Sequence, residues 1–209
     1  MYRPAHFKED RPLVLRSLMR MAPLATLVIA TDAGLEANPV PLLVRELDDG
    51  VVLAGHVARS NPVWKLPARD ALAIFSGPEG YISPSAYASK REHGQVVPTW
   101  NYVTVHAHGS LRWIEDDAWL ARLLEDLTHE HEHARAEPWR VSDAPEPFIT
   151  GLRRAIVGLE LRVTRLEGKL KLGQNRSRAD RESVIAELRQ RGDEASRALA
   201  EAMAALLDD

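Results

Sequence analysis

Val97-Pro98-Thr99-Trp100-Asn101-Tyr102-Val103-Thr104-Val105-His106-Ala107-His108-Gly109 alternates with the two-residue period of a β-strand. From Asn101 onward, Val103, Val105 and Ala107 share one face, and Tyr102, Thr104, His106 and His108 share the other. The first face is core. The second carries a phenol, a hydroxyl and two imidazoles, too polar for a dry interior unless each group finds a partner. Two arrangements satisfy it. One is an antiparallel strand with its second face wet; the other is a strand whose start, Thr99 to Tyr102, lines a pocket for a flat polar ligand, with Trp100 or Tyr102 covering a ring.

Strand patterns surround this stretch. Leu24 to Thr31 is apolar and β-branched and is closed by the hairpin signal Asp32-Ala33-Gly34. Leu35 to Leu47 reads as a second strand, interrupted at Asn38-Pro39-Val40-Pro41; proline cannot donate to a ladder, so an edge or a bulge is expected. Val51 to Val57, Asp70 to Phe75, Leu111 to Ile114 and Ala155 to Arg165 complete the strand set, and Ser76-Gly77-Pro78-Glu79-Gly80 follows the strand that ends at Phe75. Helical spacing appears at Arg11 to Met21, after Glu115-Asp116-Asp117, and in Asp180 to Leu207, where Gly192-Asp193 divides two short helices. Ala88 to Gln95 is charged and reads as an exposed, mobile loop. The fold class that follows is α+β, antiparallel strands with peripheral helices. Residues 1–178 are expected to form the main domain, and 179–209 a C-terminal helical appendage packed on it or on a partner.

The 209 residues, 45% of them hydrophobic, suffice for one domain with a real core. The absence of cysteine excludes disulfides, thiolate nucleophiles and Cys-ligated metal clusters, and accords with a reducing cytoplasm. Met1 to Asp10 lacks the apolar run of a signal peptide, and the longest apolar run, Met21 to Ala30, is too short to span a bilayer, so no membrane association is expected. A net charge of −3 offers no broad attraction to nucleic acid.

Candidate site residues fall in several places. Arg59 precedes Ser60-Asn61-Pro62, a cap followed by proline, where a helix N-terminus and a guanidinium could hold a phosphate together. Ser83, Ser85 and Tyr87 could bond the polar edge of a ligand. Lys169, Lys171 and Arg176, with the amides of Gln174 and Asn175, form the only concentrated basic cluster; the interleaved Leu170 and Leu172 argue that it is packed. His129 and His133 stand one helical turn apart, the spacing of a two-imidazole metal pair, but no third ligand is evident, and a solvated helix end accounts for them without a metal. There is no dinucleotide loop, P-loop or nucleophile elbow.

Four segments in order, Met1 to Phe7, His56 to Pro62, Val97 to Tyr102 and Gly168 to Arg176, resemble the PaiB family of FMN-binding transcriptional regulators. The resemblance implies a split β-barrel like that of the pyridoxamine phosphate oxidases, a homodimer with FMN at its interface, and a negative regulatory role. It implies a phosphate site at Arg59, Ser60 and Asn61, with Lys171 and Arg176 as second choices, and contacts to the ring and ribityl chain from Thr99, Trp100, Asn101 and Tyr102. Ser83, Ser85, Tyr87, Gln174 and Asn175 would border the pocket. Two departures stand out: Ala86 where the family has Trp, and Gly173 where it has Ser.

Three functions remain open on the sequence. The chain could be a flavin-binding regulator acting on DNA directly or through a partner protein. It could be a flavin-dependent oxidoreductase or an oxygenase of haem-like substrates, with His6, His106 or His108 handling protons or ligands. Or it could be a cofactor-free structural dimer anchored by Trp100 and Tyr102.

Overall fold

The computed structural model describes residues 1–32, 34–67 and 70–207. Eight strands form one sheet: β1 (Lys8–Glu9), β2 (Leu24–Thr31), β3 (Gly34–Pro41), β4 (Leu43–Leu47), β5 (Gly50–Ala58), β6 (Asp70–Ile82), β7 (Thr99–Ile114) and β8 (Ile156–Lys171). The α-helices are α1 (Pro12–Met21), α2 (Asp117–Glu132), α3 (Glu146–Arg154), α4 (Arg178–Arg191) and α5 (Glu194–Ala204). Strand order is β3-β2-β6-β7-β8-β5-β4, with β1 added to β8. Among the described residues no helix is long and apolar enough to cross a membrane.

The chain divides into two compact units. One comprises residues 19–75 and 107–166. Here β2 pairs antiparallel with β3 and β6, and β5 with β4 and β8. The predicted turn at Asp32-Ala33-Gly34 lies partly outside the described residues, at Ala33; beside it Thr31 pairs with Gly34. The region read as one strand from Leu35 to Leu47 is two strands, broken at Leu42, and the prolines fall on the edge strand β3 as ladder chemistry requires. Helix α2 starts on Asp116, whose carboxylate accepts the Trp119 N–H at 2.6 Å, and seats Leu123 and Leu127 against Ala54. Gly158 makes room for this helix: a Cβ there would lie 2.3 Å from the Trp119 ring.

The other unit comprises residues 1–18, 76–106 and 167–209. Its core joins Ile82, Tyr87 and Val103 to Leu170 and Leu172, and to Val184, Ile185 and Leu188 of α4 and Leu199 and Met203 of α5. The two helices divide at Gly192, whose φ of 76° is the left-handed cap of α4. The strand read as ending at Phe75 runs on through Ser76 to Gly80, and β6 ends at Ile82. Its glycines serve close approach: a Cβ on Gly77 would sit 3.0 Å from Val103, and one on Gly80 2.8 Å from Leu199. Nor is Ala88 to Gln95 untethered. Ser89 donates its backbone N–H and its hydroxyl to the buried Asp180 carboxylate, each at 2.9 Å.

Candidate functional site

Strand β7 alternates as read: Asn101, Val103, Val105 and Ala107 are buried, while Tyr102, Thr104, His106 and His108 are half-exposed. Asn101 is thus the polar residue at the head of the core face, only 3% exposed, and its amide donates to Met203 Sδ at 3.4 Å. Next to it a cleft of about 140 Å³ opens in the second unit. Thr99, Asn101, Lys171, Asn175 and Arg176 supply its polar wall; Phe7, Tyr87, Val97, Pro98 and Gly173 supply the rest.

Lys171 dominates the electrostatics. At the end of β8, its Nζ donates to Thr99 Oγ1 at 2.6 Å and to the Trp100 carbonyl. Burial, and then the charges of Lys169 and Arg176, hold its pKa below the usual lysine value. No carboxylate pairs with it among the described residues, so its charge is offset only by neutral oxygens. Arg176 lies over the Tyr87 ring, 5.1 Å from its centroid. Burial raises the Tyr87 pKa, so its phenol stays protonated at neutral pH. A half-buried ammonium, a guanidinium, a hydroxyl and two amides around apolar walls are the donors that a phosphorylated planar group requires.

Not every predicted residue faces this cleft. Trp100 is 55% exposed and meets Tyr81 edge-on at 6.2 Å; Tyr102 stacks under Lys169, whose ammonium also covers Tyr2. Gln174 is committed to the backbone, accepting from Leu172 N–H at 2.8 Å and donating to the Leu170 carbonyl at 2.6 Å. Ser83 Oγ accepts the Ser85 N–H, and Ser85 Oγ accepts from Lys90. Phe7, Val97 and Pro98 line the cleft although nothing in their residue types marks them as ligand contacts; their place within the resembling segments is the available signal. The two departures also have structural readings. Ala86 is buried in the core and does not line the cleft, and Gly173 has φ of 84°, a conformation that serine adopts only with strain.

Arg59, Ser60 and Asn61 belong to the other unit. Asn61 is a cap, accepting the Val63 N–H at 3.0 Å, but the expected helix is a single 3-10 turn, Pro62–Lys65. Arg59 donates to Glu115 at 2.6 Å and to the carbonyls of Arg154 and Ile156 at 3.0 and 3.2 Å, and packs on the Trp64 ring. Its guanidinium therefore ties the end of α3 and the start of β8 to β5.

Residues 1–165 match the family described as "Putative FMN-binding domain". The chain is 32% identical to an uncharacterized protein of Emericella nidulans over 96% of this chain and 95% of that one. It is 31% identical to the protease synthase and sporulation protein PAI 2 of Bacillus subtilis, over 97% of this chain and 96% of its relative. The chain therefore belongs to the FMN-binding domain family, in its PaiB-type branch, and its family cofactor is FMN. The solved flavocytochrome Anf3 of Azotobacter vinelandii shares the fold at a TM-score of 0.61 and 17% identity, covering 83% of this chain and 73% of that one. A FAD and heme binding protein of Mycobacterium smegmatis does so at 0.58 and 18%, covering 79% and 74%. The α+β architecture is the flavin-binding split barrel.

Proposed function

We propose that the cleft around Lys171 holds the FMN of this family, and that the chain is a PaiB-type negative regulator working as a homodimer. The observation that carries the cofactor placement is Lys171 itself: a half-buried ammonium, held by Thr99 and Trp100 beside Arg176 and with no carboxylate partner among the described residues, accommodates an anion at low cost. In this reading Lys171 and Arg176 bind the phosphate, Asn101 and Asn175 orient polar edges, and Pro98, Val97 and Phe7 exclude water. When bound, FMN supplies a redox-active planar ring. Arg59, already committed to Glu115 and two carbonyls, keeps a corner of the barrel in place.

The cleft's 140 Å³ is below the roughly 300 Å³ at which pockets begin to enclose a cofactor-sized ligand, which favours a second copy completing the site. The regulatory reading draws on the relative in Bacillus subtilis, whose name ties it to protease synthesis and sporulation. The net charge of −3 favours an output through a partner protein or small molecule over broad contact with DNA phosphates. The test is absorption and size-exclusion of the purified protein. Flavin bands near ~450 nm on a dimer-sized peak are expected; a colourless monomer that takes up no FMN overturns the reading. Promoter DNA retarded at moderate salt would show direct DNA recognition instead.

A further inference from the structure

The C-terminal half of α2 and its cap residue place Glu125, His129 and His133 at successive turns of one face, with Glu132 beside them. All four line one cavity of about 330 Å³, walled opposite by Pro138, Trp139 and Arg140. The two imidazole centroids are 5.6 Å apart and tilted by 35°. His133 Nδ1 lies 3.2 and 2.9 Å from the carbonyls of His129 and Glu130. Carbonyls only accept, so Nδ1 is the donor in these contacts and Nε2 is the ring nitrogen left for a metal; a backbone carbonyl fixing the tautomer is the usual support of a metal-binding histidine. Neither His129 ring nitrogen nor the Glu125 carboxylate is engaged by another side chain among the described residues. Glu132 is otherwise committed. It accepts the Trp139 N–H at 3.2 Å and pairs with Arg135, which holds the facing wall against the helix.

We infer that His129 and His133 bind a divalent transition metal that favours imidazole, such as Zn²⁺, with Glu125 turning in as a third ligand. The donor set of two nitrogens and a carboxylate suits Zn²⁺ and leaves a coordination position open to water. The site is built wholly from α2 and its facing wall, so it is independent of the flavin.

The experiment is a Zn²⁺ titration by calorimetry on the full chain after chelator treatment. One equivalent is expected to bind, with affinity falling about 10-fold or more in His129→Ala and again in His133→Ala, as the loss of a ligand should at least match the 10- to 100-fold cost of losing a supporting contact. His131→Ala, which alters a histidine outside the cavity, is expected to leave Zn²⁺ binding unchanged, and all three variants to keep the wild-type melting profile without metal. No stoichiometric binding, or equal loss from His131→Ala, would overturn the inference, the latter by showing an adventitious histidine-rich surface.

Discussion

Lys171 Nζ and Thr99 Oγ1 lie 2.6 Å apart, joining the end of β8 to the start of β7 across the cleft. The ammonium there is partly desolvated and faces Lys169 and Arg176, so its folded pKa is lowered. Between that lowered value and the ordinary one, the unfolded chain binds the proton and the folded chain does not. Stability contributed by this group therefore rises with pH through the window. In urea denaturation at rising alkaline pH, up to the ordinary lysine value, wild type is expected to gain stability relative to Lys171→Met. Parallel pH profiles would contradict the desolvated charge.

Asp180 accepts both the Ser89 N–H and its hydroxyl while only 4% exposed. Burial pushes its pKa up, but the Ser89 bonds, Ser177 and Arg176 outweigh that and hold it below the usual carboxylate range. Its stabilising contribution is complete above the unfolded pKa and is lost as pH falls through the lower folded value. Asp180→Ala is expected to cost about 2–4 kcal/mol at neutral pH, because charge-assisted bonds vanish and a backbone donor is stranded. Ser89→Ala, which keeps the backbone bond, should cost about 1 kcal/mol. Urea denaturation measures both.

Gly173 occupies φ of 84°, and a Cβ there would find its nearest neighbours 3.8–4.0 Å away. Space is available; the backbone conformation is the obstacle. Gly173→Ser and Gly173→Ala are each expected to destabilise by about 1–2 kcal/mol, the left-handed penalty for an L side chain. A stabilised Gly173→Ser protein in thermal denaturation would show that the hydroxyl matters more than the backbone.

Much of the architecture is legible because it rests on local chemistry. The period-two burial of β7, the edge position of Pro39 and Pro41, the Asn61 cap and the break at Gly192 all follow from adjacent residues. What escapes depends on contacts distant in sequence. The strand at Phe75 reads as ended until Val103 and Leu199 are seen to need the space beside Gly77 and Gly80. Ser89 and Asp180, 91 residues apart, give no local sign of their pairing. At the cleft, Lys171, Thr99 and Asn101 stand where strand ends bring them together, whereas the Gln174 amide, which looks free in a basic loop, has both its polar atoms bonded to the backbone at the end of β8. Arg59 offers the same ambiguity, since a guanidinium suited to phosphate is equally suited to carbonyls and a carboxylate.

The proposed cofactor placement rests on cations that grip a phosphate, and comparing FMN with riboflavin isolates that grip. In a fluorescence titration of the flavin-free protein, FMN is expected to bind about 100-fold more tightly than riboflavin, and Lys171→Met to reduce that ratio about 10-fold or more, the scale of one charge-assisted hydrogen bond. Equal affinity for the two flavins, or a ratio that Lys171→Met leaves untouched, would contradict the account.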